Sequence, residues 1–203
     1  MSAPQPPPSE FEPSAEPEPI AEPDPAADPA APADPHAEPA PADLTAPHAA
    51  RFGPLPEHVL ERWSKFCTHG GYFPERMGMV VEELRRDYSR LRLPWRPTFR
   101  QRTGVMHGGV IAALVDTTVV PAIAAHYEGD PRMGTINLAV QYLRPVVDRD
   151  LVAEAWVEHR GRSVVFCRAE VRSVGAGGEV DLAATATLVF RVSASAVPVD
   201  AAD

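Results

Sequence analysis

The stretch TGVMHGGVIAALVDTTVV, residues 103–120, decides how the rest of the chain is read. Two adjacent glycines, Gly108 and Gly109, open a run that is apolar nearly all round, and one carboxylate, Asp116, stands in its middle. A helix with no polar face has to be wrapped on every side. The run from Gly104 to Ala125 is oily enough to raise a membrane span, yet it holds His107, Asp116, Pro121 and its glycines, which predicts a buried core helix instead. Pro121 has no amide to donate and should kink the helix or mark its end. An Asp is rarely buried without a partner, because desolvating a carboxylate is costly unless something bonds or neutralises it. Asp116 is therefore either tied down, by Thr117, Thr118 or a helix end across an interface, or it does chemistry.

The flanking segments supply the wrapping. LPEHVLERWSKFCT, residues 55–68, places Val59, Leu60, Trp63 and Phe66 on one helical stripe, and the first HGG, residues 69–71, reads as a glycine stop before a turn. MGMVVEELRRDYSRLRLPW, residues 77–95, reads as two strands around a polar turn near Arg85 to Asp87. Beyond the core helix, GDPRMG is a turn and four strand-like runs follow. In TINLAVQYL, alternation sets Ile136, Leu138, Val140 and Tyr142 on one face and Thr135, Asn137, Ala139 and Gln141 on the other. LVAEAWVEH and SVVFCRAEV flank Gly161 as a hairpin, and GAGG at 175–178 turns the chain into VDLAATATLVFRV. The expected order is two strands, one long helix, then an antiparallel meander of four strands. One curved sheet folded round the helix, an α+β architecture, satisfies this pattern.

Composition divides the chain. Residues 1–50 hold 15 of the 24 prolines and 10 of the 28 acids, with no Lys or Arg before Arg51. Such a segment cannot bury enough apolar surface to offset its chain entropy, so it reads as a disordered Pro/Ala/acidic tail whose composition names no particular partner. Residues 51–195 read as the folded domain and 196–203 as a flexible C-terminus. Deleting residues 1–48 is expected to leave dimerisation and turnover intact. Outside the tail, 18 acids face 19 bases, so the folded part is near neutral. No basic footprint for nucleic acid is present, the arginines being scattered along strands. There is no secretory signal pattern, and Cys67 and Cys167 lack metal or disulfide spacing; both point to a cytoplasmic protein without a metal site.

GVMHGGVIAALVD, TINLAVQYLRPV and GRSVVFCRAEV, in this order, resemble the PaaI-like acyl-CoA thioesterases of the hotdog fold, a likeness that runs over about residues 70–192. The resemblance lies in Gly104, His107-Gly108-Gly109 and Asp116 nine positions after the His, and in a later strand ending Leu143-Arg144-Pro145. It implies hydrolysis of an acyl- or aryl-coenzyme A thioester with no cofactor, coenzyme A being part of the substrate. By the same resemblance Asp116 is the general base or the nucleophile and Gly108 supplies the oxyanion amide. Gln101 stands where relatives carry an Asn that contacts the thioester carbonyl or water. Thr135 matches the hydroxyl that orients the water, with Asn137 in reserve. The chemistry suits these residue types: thioester hydrolysis needs a group that acts on water or carbonyl, and donors aimed at the oxygen where charge develops. A helix N-terminus offers unpaired amides and a favourable dipole, and glycine lets a carbonyl approach.

Eight residues separate Gly108 from Asp116, about 12 Å along a helix axis. No single thioester carbon touches both. Two helices from two subunits, side by side and oppositely directed, bring one N-terminus to the middle of the other, so a homodimer or a tetramer of dimers is expected. His107 is expected to cap the helix start beside the substrate, together with Gly109. Arg144, Arg160 and Arg162 are candidates for the coenzyme A phosphates, solvated strand ends being the competing account. Two other activities fit less of the pattern: a non-catalytic acyl-CoA-binding hotdog protein, and a hotdog enoyl-CoA hydratase. No G-x-S-x-G elbow is present for a serine hydrolase.

Overall fold

Val80, Val164 and Val180 each open a strand shortly after a glycine, where a β-branched residue takes over from a turn. The computed structural model describes residues 46–68, 70–193 and 197–199. In chain order the elements are α1 (Glu57–Ser64), α2 (Phe73–Met77), β1 (Val80–Arg85), β2 (Tyr88–Leu93), α3 (Gly108–Ala124), β3 (Met133–Tyr142), β4 (Asp150–Arg160), β5 (Val164–Val174) and β6 (Val180–Val192). All strand pairs are antiparallel, and the sheet order is β1-β2-β4-β5-β6-β3. The β4, β5 and β6 meander follows the expected turns at Gly161 and at 175–178. β3 does not open that meander, contrary to the expectation: it crosses to the far edge and pairs with β6. Two short helices, not one, precede the sheet. After the glycine stop, where Gly70 and Gly71 have φ of 88° and 65°, Pro74 begins the extra turn α2. His69 and residues 1–45 lie outside the described residues.

α3 fills the concave side of the sheet. Leu114, Val115, Val119 and Ile123 are buried against Leu91, Leu151, Val165, Val171 and Leu188. Truncating one such side chain, Leu114→Ala, is expected to cost about 2–5 kcal/mol, to be read from chemical denaturation. The helix continues past Pro121, which sits in its last turn, and closes at Ala124. Ser89 Oγ, on β2, donates to the Thr118 carbonyl, tying sheet to helix. Among the described residues no helix is long and apolar enough to cross a membrane. Cys67 and Cys167 are free and buried, and burial pushes both thiols up to about 12.

The opposite face of the sheet is built on charge. Arg90 on β2, Glu154 on β4 and Glu170 on β5 share one row, with Tyr88 opposite Trp156 in the next row of the same face. Glu154 is fully enclosed, its Oε1 accepting from Tyr88 Oη at 2.9 Å and from the His48 N–H at 3.2 Å, its Oε2 from Arg172 at 3.0 Å. Ala49 is buried against Tyr88 and Trp156, and Phe52 stacks on Tyr88 at 5.3 Å. Ordered packing thus begins upstream of residue 51, within the stretch that composition assigns to the tail. At the other end, Val197 and Val199 exchange backbone hydrogen bonds with Glu128 and His126, so these residues of the C-terminus read as flexible are held against the domain.

Candidate active site

The loop before α3 is a tight return: Gln101 N–H donates to Val105 O, Gly104 N–H donates to Gln101 O, and Gly104 takes the left-handed φ of 87° that glycine allows. It delivers His107 in an extended conformation as the N-cap of α3. The His107 ring Nδ1 accepts from the Gly109 N–H at 2.9 Å, a bond that assigns the ring proton to Nε2. Gly109 is thereby occupied. The Gly108 N–H has no partner among the described residues and stands at the positive end of the helix dipole. Gln101, Gly108 and Tyr142 line one cavity of about 370 Å³, where Gln101 Nε2 donates to Thr103 Oγ1 at 3.0 Å.

Two turns along, Asp116 is half-buried, and its Oδ1 accepts from Thr135 Oγ1 at 2.8 Å. Neither Thr117 nor Thr118 holds it; Thr118 Oγ1 donates instead to Leu114 O. Thr135 reaches Asp116 because β3 carries a bulge. Thr135 lies opposite Phe190 and Asn137 opposite the next residue, Val189, leaving Ile136 as the extra residue. Paired residues share a face, so Thr135 joins Leu138, Val140 and Tyr142 on the helix side, while Asn137 turns to the outer side. The expectation that Thr135 and Asn137 share a face is corrected: strict alternation fails across the inserted residue.

Residues 103–178 match the family model described as the thioesterase superfamily. Over those residues the chain is similar to the thioesterase superfamily. A candidate esterase of Mycobacterium tuberculosis is 33% identical over 94 residues, which are 44% of this chain and 66% of that protein, so the chain spans just under two thirds of the curated relative. A conserved protein of Pseudomonas aeruginosa is 29% identical with a TM-score of 0.56, covering 64% of this chain and 99% of that one. The E. coli PaaI protein, from the phenylacetic acid degradation operon, has a TM-score of 0.59 at 15% identity over 69% of this chain and 97% of its own, a likeness of fold. A long helix in a curled antiparallel sheet is the hotdog fold, as the sequence led one to expect.

In this hotdog domain the three expected arginines fall in different surroundings. Arg144 pairs with Asp181 at 3.0 Å, and Arg160 pairs with Asp87 at 2.5 Å and donates to Tyr127 Oη. Arg162 has no ion pair among the described residues. Tyr142 is a site residue that sequence reasoning left as a strand position: its hydroxyl donates to Gly108 O at 2.9 Å, and its ring covers Gly108 so closely that an added Cβ would lie 3.2 Å from Cζ. Its signal was its place on the helix-facing side of β3. At Gly109 a Cβ would meet the His107 ring at 2.9 Å, so Gly109→Ala is expected to dislodge the cap and lower the melting temperature.

Proposed function

We propose that this domain hydrolyses an acyl- or aryl-coenzyme A thioester to the free acid and coenzyme A, at a site shared by two copies of the chain. The reading rests chiefly on Asp116, a half-buried acid on an apolar helix, oriented through Oδ1 by Thr135 while Oδ2 has no partner among the described residues. Asp116 accepts a proton from water as the water oxygen attacks the thioester carbon. The carbonyl oxygen takes up the negative charge and accepts from the unpaired Gly108 N–H of the facing helix. Collapse breaks the C–S bond, and the departing thiolate recovers the proton from Asp116. In the nucleophilic variant Asp116 attacks the carbon directly, the C–S bond breaks to release the coenzyme A thiolate, and water opens the resulting anhydride, its proton passing to the thiolate; both routes use the same carboxylate.

A facing second copy of the chain fits this reading physically. Asp116 and Gly108 belong to one helix and lie about 12 Å apart along it, so a facing copy is needed to unite them. β3 is a ten-residue edge strand with one side of its backbone unpaired, a liability that pairing with a second copy would remove. The test is release of free thiol from a panel of acyl- and aryl-coenzyme A thioesters. Coenzyme A binding without release would favour a binding protein, and hydration of an enoyl thioester would favour the hydratase.

Gly108→Pro removes the oxyanion donor, and the Tyr142 ring, which an added Cβ would approach to 3.2 Å, has to give way by a few tenths of an ångström. Proline is well accepted at the first helical position and lacks the N–H, and the extended His107 before it is the conformation that proline demands. A fall in kcat of about 10²–10³ is expected. Mixing this variant with Asp116→Asn, each inactive alone, should restore about a quarter of the unaltered activity through heterodimers with one intact site. No recovery in re-assorted dimers would place both groups in a site of a single chain.

A further inference from the structure

A glycine at the first position of a helix is a loose place for a donor that has to be aimed. Glycine has the widest backbone freedom, and the first amides of a helix have no intrahelical partner to hold them. Yet an oxyanion donor acts best when it points the right way before charge develops, because turning it during the reaction adds to the barrier. The polar groups around Gly108 show how the fold meets this difficulty. The His107 N–H donates to Phe99 O at 2.8 Å, and the His107 carbonyl accepts from the Val110 N–H at 2.9 Å. The Gly109 N–H is held by His107 Nδ1 at 2.9 Å. All three bonds lie within the loop and the first turn of α3, so they move with them.

One contact comes from outside. Tyr142 Oη donates to the Gly108 carbonyl at 2.9 Å, from the sheet and 34 residues along the chain. The peptide joining Gly108 to Gly109 is therefore gripped at its carbonyl by β3 and at its N–H by the helix cap, which fixes the plane next to the donor amide. The ring adds contact: a Cβ on Gly108 would lie 3.2 Å from Cζ and 3.3 Å from Oη, so no water fits between ring and backbone there. Tyr142 is itself anchored. It lies opposite Ala184 on β6, and the next two amides, of Leu143 and Arg144, both donate to Ala183 O, at 2.8 Å and 3.2 Å. On the same strand Thr135 bonds Asp116. β3 thus supplies one side-chain bond to the acid and one to the residue of the donor. Tyr142 is 53% exposed in the single chain, so a copy seated on β3 would shield its bond from water and strengthen it.

We infer that Tyr142 is a positioning residue, which holds the first peptides of α3 so that the Gly108 N–H is aimed at the developing oxyanion. The inference rests on the thioesterase reading and adds to it a side chain that takes no part in any bond made or broken.

Two measurements on the full chain test it. Tyr142→Phe keeps the ring and removes the hydroxyl. Its kcat on the best thioester of the panel should fall about fivefold, the effect of one neutral hydrogen bond, with KM unchanged, the split expected when aim is lost and substrate binding is not. Tyr142→Leu, which takes away the ring as well, should fall further. Nitrogen relaxation supplies a reading that needs no substrate: the order parameter of the Gly108 amide, about 0.85 for rigid backbone, should drop toward about 0.6 in Tyr142→Phe, while the amides of Val119 and Ile123 stay as they were. A general loosening of α3 would move all three. An unchanged Gly108 amide overturns the inference, as does a Tyr142→Phe variant that keeps the unaltered kcat. Loosening confined to the start of α3, in a chain that releases no thiol from any thioester, supports the hold on Gly108 and sinks the hydrolase reading alone.

Discussion

Asp116→Asn should lower thioester turnover by roughly two to four orders of magnitude while leaving oligomeric state and melting temperature in place. Asn keeps the size of the side chain and an oxygen that can accept from Thr135 Oγ1 as Asp116 does at 2.8 Å. It loses only the capacity to take up a proton or attack a carbon. Asp116 is half-buried on a helix whose neighbouring positions, Leu114, Val115, Thr117 and Thr118, are all buried. A neutral amide at that place costs less to desolvate than a carboxylate, so the fold has no reason to suffer from the exchange. Measured together, free-thiol release and sedimentation separate the two accounts of this acid. A variant that keeps its oligomeric state and turns over at the unaltered rate would make Asp116 a structural tie between α3 and β3.

Arg172→Ala should destabilise the domain by about 3–5 kcal/mol, most visibly at neutral pH. Arg172 is the cation beside Glu154, which has no solvent exposure. Removing it leaves a buried carboxylate supported only by the Tyr88 hydroxyl and the His48 amide, so the lower end of the range applies. Burial raises the Glu154 carboxyl above its ordinary value of 4.5, with Tyr88, His48 and Arg172 pulling against it. The folded state therefore holds that proton more tightly than the unfolded chain. Its contribution to stability is complete below 4.5 and is lost as pH rises through the raised folded value. Urea unfolding across that window should show stability falling as pH rises, more steeply in Arg172→Ala and more shallowly in Glu154→Gln. A Glu154→Gln variant with the same slope as the unaltered chain would assign the pH dependence to another group.

What could be read from the sequence was what depends on local pattern. The core helix was legible because its apolar character needs no partner to be recognised, and Asp116 stood out against it. The β4–β5 and β5–β6 hairpins were legible from Gly161 and from the glycines at 175–178. The facing of β3 was not, since the bulge at Ile136 is set by register against Val189 and Phe190, more than fifty positions away. Arg144 and Arg160 could not be told from Arg162 for a similar reason: their partners, Asp181 and Asp87, are 37 and 73 residues distant. The docking of residues 46–52 escaped notice because the group that bonds Glu154 is the backbone N–H of His48, and every residue but proline has one. A deletion of residues 1–48 takes that donor away along with the tail.

The crossing of β3 to the far edge also orders events in time. Its pairing partner, β6, ends at Val192, so during synthesis β3 emerges long before the strand that will hold it. Until then Ile136 and Tyr142 belong to a strand with neither neighbour, at the stage when nascent chains most readily associate wrongly. The contact between Thr135 and Asp116 joins residues only 19 apart, yet the bulge that aims Thr135 inward exists only once β6 has docked. Closure of this last, long-range pairing is thus the slow step that topology predicts, and catalytic competence should appear with it, after the helix and the central strands have already collapsed.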